Sequence, residues 1–251
     1  EMPPGGAKPM IDAGALDDVD RVFGLHIWSE MPLGTIGTRT GVFMASTDEL
    51  EFVIRGKGGH AAMPQQCVDP VLVAAHVITA LQSVVSRSIA MTDNAVVSVT
   101  KVTAGTATNV VPESATLEGT LRTLSEDTRR HCQRRVREIV ASTCRAFGAE
   151  ASISFHGGYP ALVNDAACVE QAIRIAHELG VARDAIQLLP PQGGGEDFAY
   201  YAQHRPSAFL FLGARNELKE CRYPHHHPRF NIDEDALPLG AAMLASLALR
   251  D

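Results

Sequence analysis

Asp48-Glu49-Leu50-Glu51-Phe52-Val53-Ile54-Arg55-Gly56-Lys57 is the stretch that decides the fold of this 251-residue chain. Leu50, Phe52 and Ile54 alternate with Glu51, Val53 and Arg55, a period of two that predicts a half-buried strand. Gly58-Gly59-His60-Ala61-Ala62-Met63-Pro64 then reads as a flexible loop. Residues 70–85 repeat apolar side chains at helical spacing, with Asp69 as N-cap and Pro70 at the first helical position. Strands are predicted over 95–102 and 115–124, joined by a loop over 103–112. Ser125-Glu126-Asp127 opens a second helix that Gly148 stops, and 150–156 forms a last strand. The order strand, helix, strand, strand, helix, strand is that of the ferredoxin-like unit, four antiparallel strands with both helices on one face.

Outward from this unit the pattern changes. A short helix over 5–14 precedes a buried strand over 21–28, and strand-like sequence continues over 35–43. Downstream, 165–179 and 234–249 read as helices and 185–189 and 207–212 as strands. The fold class expected is therefore α/β, with a host domain of 1–46 and 158–251 interrupted by a ferredoxin-like α+β domain of 47–157. Residues brought together by a host sheet of this kind meet in the crevice outside the carboxyl ends of its strands.

Composition narrows the partners. A net charge of −7 with 20% charged residues leaves no basic stripe for nucleic acid. Arg129, Arg130, Arg134, Arg135 and Arg137 are interleaved with acids and read as a solvated helix face. No apolar run approaches the ~18 residues of a membrane span. Glu1-Met2-Pro3-Pro4-Gly5-Gly6 lacks the basic and apolar regions of a secretory signal. Five cysteines without CxxC spacing argue against a disulfide framework and favour a reducing, cytoplasmic setting.

Tyr223-Pro224-His225-His226-His227-Pro228 sets three imidazoles between two prolines, which fix the backbone that would aim them at a metal. A solvated His-rich turn is the plainer reading of the triplet alone. Two further residues favour a ligand role: His26, a polar residue ending the apolar run Val22-Phe23-Gly24-Leu25, and Glu1, a carboxylate before a Pro/Gly turn. One carboxylate and two imidazoles from distant segments make chemical sense if the fold gathers them around a divalent cation.

Seven motifs in order resemble one family. They are Pro3-Pro4-Gly5-Gly6-Ala7, Gly24-Leu25-His26-Ile27-Trp28, Gly56-Lys57-Gly58-Gly59-His60-Ala61-Ala62-Met63-Pro64, Asn109-Val110-Val111-Pro112, Gly119-Thr120-Leu121-Arg122-Thr123, Gly194-Gly195-Glu196-Asp197-Phe198 and His226-His227-Pro228-Arg229-Phe230. The chain resembles the metal-dependent amidohydrolases that include hippurate hydrolase, N-acyl-amino-acid deacylases and indole-acetyl-amino-acid hydrolases, relatives of the aminoacylases and glutamate carboxypeptidases.

The resemblance implies a metallohydrolase domain interrupted by a lid and dimerisation domain. It implies Glu1, His26 and His226 as ligands of Zn or Mn, two metals per site in the intact family, with His225 and His227 in an outer shell or facing solvent. His60 is implied as the lid histidine that reaches the substrate carbonyl, often across a dimer interface. Asn109 and Arg122 are implied to hold substrate oxygens, and Glu196 to fix a loop near the substrate. Two metals sharing a water polarise the amide carbonyl and lower the pKa of that water toward ~7, a general-base Glu moves its proton, and a His donates to the oxyanion.

The family's other ligands and its general base lie upstream of Glu1, so the expectation is a partial chain with weak metal retention and little turnover. The partners expected are a small N-acyl amino acid and a second copy of the chain, with no nucleic acid and no membrane. The alternatives are a di-metal peptidase or deacetylase acting on dipeptides or diaminopimelate derivatives, and a non-catalytic dimeric binding protein.

Overall fold

The computed structural model describes residues 5–249. From the N-terminal side, α1 (Ala7–Asp12) leads into β1 (Val22–Pro32), β2 (Ile36–Thr38) and β3 (Gly41–Met44). There follow β4 (Ser46–Arg55), β5 (Gly59–His60), α2 (Pro70–Arg87), β6 (Ala95–Ala104), β7 (Val110–Val111), β8 (Ser114–Thr123), α3 (Glu126–Ala146) and β9 (Glu150–Gly157). The chain closes with β10 (Leu162–Asn164), α4 (Ala166–Glu178), β11 (Ile186–Leu188), α5 (Ala199–His204), β12 (Ser207–Arg215) and α6 (Leu237–Leu249).

The middle section carries the expected topology. Its sheet runs β6-β8-β4-β9, antiparallel throughout. Leu50, Phe52 and Ile54 of β4 are buried with Val77 and Leu81 of α2 and with Val136 and Val140 of α3. Both helices start where a side-chain oxygen satisfies backbone N–H groups: Asp69 accepts from Val71 and Leu72, and Ser125 accepts from Thr128. The stretch around His60 is more ordered than a flexible loop, because Gly59 and His60 pair with Val111 and Val110 in a two-stranded ribbon. α2 also departs from expectation: by length and composition its 18 residues could cross a membrane. Its Val73, Val77, Leu81 and Val84 instead pack in the core beneath the sheet.

Arg129 corrects the reading of a solvated arginine face. Asp48 lies in phase with Leu50 on the buried face of β4, and Arg129 reaches down from α3 to hold its carboxylate.

The flanking segments build a second, mixed sheet of order β1-β12-β2-β11. β1 and β12 are parallel, as are β2 and β11, whereas β12 and β2 run antiparallel. β12 is buried along nearly its whole length, so its sequence is continuously apolar rather than alternating. Leu210 and Leu212 pack toward α4 and α6, and Phe209 and Phe211 pack on the opposite side with Phe43 and Leu162. β3 pairs with β10 beside the two crossings between the sheets. At those crossings Thr47 exchanges backbone hydrogen bonds with the 157–159 segment: Thr47 N–H donates to Tyr159 and Gly158 N–H donates to Thr47.

Candidate active site

A cavity of about 630 Å³ lies where the two sheets meet. β1 forms one wall. Strand alternation puts His26, Trp28 and Glu30 on the same face, and all three line the cavity. Trp28 is stacked on Phe211 with ring centroids 3.9 Å apart and planes within 3°. His26 meets Trp28 edge-on at 5.6 Å. Its Nδ1 lies 2.5 Å from the Ile27 carbonyl, which can only accept. Nδ1 therefore donates, so in the neutral ring the lone pair falls on Nε2, the arrangement in which an imidazole can bind a metal.

The loop from Asn216 to Asp233 forms a second wall. The buried Asp233 carboxylate accepts from Asn216 Nδ2 at 2.6 Å and from Lys219 Nζ at 2.7 Å, closing the base of the loop. Those partners hold the Asp233 carboxyl below its usual range, with Lys219 as the largest cause. At the tip, Tyr223 is stacked on His227 at 4.6 Å, and the Arg229 guanidinium sits 4.1 Å over the Tyr223 ring. His226 adopts a left-handed backbone with φ of 66°. That conformation is uncommon outside glycine and costs on the order of 1–3 kcal/mol, so the surrounding loop must enforce it. As a result the consecutive residues His225 and His226 both line the cavity.

His225 is half-buried beside His26. Its ring lies 5.2 Å from that of His26 and 4.9 Å from Phe230, and its Nε2 faces Ser29 N–H at 3.3 Å.

The third wall comes from the glycine-rich turn before α5. Glu196 Oε1 accepts from Phe198 N–H at 3.2 Å, and burial, helped by neighbouring Asp197, pushes its carboxyl above the usual range. The Asp197 side chain reaches away from the helix that follows it. Its Oδ2 accepts from Gly6 N–H at 2.7 Å and Ala7 N–H at 2.8 Å, at the opposite end of the sequence.

The middle sheet supplies the roof. Arg122 of β8 stands opposite Thr47 of β4, and both line the cavity with Glu49. Burial lowers the Arg122 pKa, against the opposing pull of Asp48 and Glu49.

The structure thus gathers His26, His226, Arg122 and Glu196 at one cavity. Glu1 lies outside the described residues, although Gly5 and Gly6 line the same cavity. His60 and Asn109 do not line it. They sit together on the exposed ribbon, where Ala61 N–H donates to the Asn109 carbonyl at 3.0 Å and His60 Nδ1 accepts from Ala62 N–H at 3.1 Å. Sequence reasoning missed Trp28, Glu30, Glu49 and Asp197. Period-two alternation from His26 would have found Trp28 and Glu30, and from Thr47 it would have found Glu49. Asp197 had no local signal, because its partners are 190 and 191 residues away.

Among the described residues no group of three or more His, Cys, Asp or Glu side chains closes into a metal site. The donor chemistry is nevertheless that of a borderline divalent cation: the His26 Nε2 lone pair, the His226 imidazole and a carboxylate on a common cavity.

Such an architecture, a mixed α/β sheet joined to a four-stranded antiparallel unit over a His- and Glu-lined cleft, defines a two-unit α/β class. Residues 1–250 match the model of Peptidase family M20/M25/M40, and the chain belongs to that family. It is 38% identical to thermostable carboxypeptidase 2 of Saccharolobus solfataricus over 98% of this chain and 62% of that protein. It is 39% identical to an N-acetylcysteine deacetylase of Bacillus subtilis over 97% of this chain and 62% of that protein. Among solved structures, the YXEP protein of Bacillus subtilis, described as a dinuclear metal binding peptidase of the M20 family, superposes with a TM-score of 0.80 at 33% identity, covering 97% of this chain and 60% of that one. The chain spans 62% of the length of the two curated relatives named here.

Proposed function

We propose that the protein takes part in metal-dependent hydrolysis of the amide bond of N-acyl amino acids. The observation that carries this reading is that His26 and His226, 200 positions apart in sequence, line one cavity that also holds a forked cation, Arg122. His26 and His226, with Glu1, would hold Zn or Mn. A divalent cation bound there supplies the polarising charge for an amide carbonyl and acidifies a water toward pKa ~7.

The chain's own residues do the rest. Trp28 and Phe211 keep His26 in one orientation, and the Ile27 carbonyl fixes its tautomer. Arg122 offers two parallel N–H donors to the substrate carboxylate, which favours acylated amino acids over plain amides. The names of the relatives, a carboxypeptidase and a deacetylase, also support a dipeptide or N-acetyl substrate.

The middle unit, 47–157, serves in this reading as a lid and as a dimer contact. β6 is an edge strand, with Val96 and Val102 each 51% exposed. Pairing it with a second copy about a two-fold axis would cover the edge. It would also give a use to His60 and Asn109, which lie away from this chain's own cavity. Five unpaired cysteines suit a reducing, cytoplasmic compartment.

Metal analysis after dialysis, together with binding and amino-acid release from a panel of hippurate, N-acetyl amino acids and dipeptides, tests the reading. Retained metal that His226→Ala removes, with selective binding of acylated amino acids, is the expected result. Equal metal content in His226→Ala and the parent protein would overturn it.

A further inference from the structure

We propose that a second cavity, adjoining the first at Arg122, receives an apolar side chain of the amino acid in an N-acyl amino acid. It measures about 320 Å³, and its lining includes Ala45, Val96, Arg122, Leu124, Pro191 and Gly193. Arg122 lines the main cavity as well. The strand register shows why it serves both: Val96 of β6 stands opposite Arg122 of β8, which stands opposite Thr47 of β4. Cross-strand partners share a face of the sheet. Along this row Val96 lines the side cavity, Thr47 the main one, and Arg122 between them lines both.

Substrate chemistry decides which group falls there. With the carboxylate on Arg122 and the scissile carbonyl toward His26 and His226, the amino-acid side chain branches from the carbon that bears the carboxylate. The acyl group lies beyond the scissile carbonyl, further from Arg122. The wall suits an apolar group: Arg122 is the one charged residue among those described at this cavity, and Ala45, Val96, Leu124 and Pro191 are apolar. Its volume is about twice the ~150 Å³ that admits benzene into an apolar protein cavity. The host-domain wall is fixed in advance, because Gln192 N–H donates to the Phe43 carbonyl at 2.8 Å and the Gln192 carbonyl accepts from Ala45 N–H at 2.9 Å. A preformed wall spares the ordering cost of binding.

The inference rests on the reading of Arg122 as the carboxylate-binding cation, and its test separates the two. Calorimetry on metal-free protein compares N-acetylglycine, which has no side chain, with N-acetyl-leucine, N-acetylphenylalanine and hippurate, whose benzoyl group enlarges the acyl end instead. The leucine and phenylalanine ligands are expected to bind the parent at least about tenfold more tightly than N-acetylglycine. An added Cβ at Gly193 meets nothing within 4 Å, and Val96 is 51% exposed, so Gly193→Leu and Val96→Trp narrow the cavity from opposite walls without crowding the core. Each is expected to bring the preference down to about twofold or less, with N-acetylglycine bound as by the parent. Equal affinity of the parent for N-acetylglycine and both larger amino-acid ligands would overturn the side-chain pocket, and weaker N-acetylglycine binding in Arg122→Ala would leave the carboxylate reading standing. An unchanged preference in both variants, or a loss confined to hippurate, would overturn it too. Failure of the parent to bind any of these ligands would overturn the carboxylate reading and this proposal with it.

Discussion

Arg129 holds Asp48 by both carboxylate oxygens, Nε to Oδ2 and Nη2 to Oδ1 each at 2.7 Å, across 81 residues of sequence. Asp48 is 1% exposed and sits at the end of the apolar stripe of β4, one residue from cavity-lining Thr47 and Glu49. Hydrogen bonding to Asp48 raises the Arg129 pKa, against the cost of its burial. Arg129→Met would strand a buried carboxylate and is expected to cost about 3–5 kcal/mol in urea unfolding. Replacing both partners by apolar residues, Arg129→Met with Asp48→Leu, is expected to cost much less than the single change. A single change that costs under about 1 kcal/mol would show that the pair is surface-like.

Gly158 is where the middle unit rejoins the host sheet, and a Cβ there would lie 2.0 Å from Thr47 Oγ1 and 2.4 Å from Thr47 O. Gly158→Ala is expected to lose about 1–3 kcal/mol through overpacking. At Gly157 an added Cβ meets nothing within 4 Å, so Gly157→Ala serves as the control and should stay within about 0.5 kcal/mol of the parent. Paired thermal melts of the two variants decide this, and equal melting temperatures would count against the tight crossing.

Burial pushes the Cys168 thiol from 9.0 up to about 11. Between those values the unfolded chain has lost a proton that the native state still binds, so stability falls as pH rises through that window and is fully present below it. Burial also raises Cys132 and Cys144. Cys168→Ala should therefore flatten, without abolishing, the alkaline decline in urea midpoint. In thiol labelling of the native protein at neutral pH, half-exposed Cys67 is expected to react ahead of the four buried cysteines. Prompt labelling of Cys168 would contradict its burial.

Arg122→Ala should separate binding from metal retention. Loss of a charge-assisted contact of about 1.5–3 kcal/mol corresponds to roughly 10–150-fold weaker binding of a carboxylated ligand, with metal content unchanged. Calorimetry with N-acetyl amino acids and with the matching N-acetyl amides checks it. The amides should bind the parent and the variant alike, and an equal loss for both ligand types would remove Arg122 from carboxylate recognition.

The ferredoxin-like unit was legible because its signals are local: alternation in β4, the Asp69 and Ser125 caps, and the glycine after α3 all act within a few residues. The short elements β10 and α5 were not, since tertiary pairing rather than a periodic stripe sustains three to six residues. Arg129 looked solvated for a similar reason. Its acidic neighbours in sequence, Glu126 and Asp127, hide a partner 81 positions upstream. Of the candidate site, the motifs around His26 and His226 lie at the cavity, and the one around His60 does not. The Asp197 anchor and the inward turn of His225 depend on contacts that no spacing in the chain encodes.

Whether His26 and His226 serve one ion is measured directly by histidine-selective ¹⁵N NMR during a Zn titration. The ring nitrogens of both residues are expected to shift together, reaching their end point at the same Zn equivalence. Movement of one ring with the other unchanged, or of neither, would contradict a shared site.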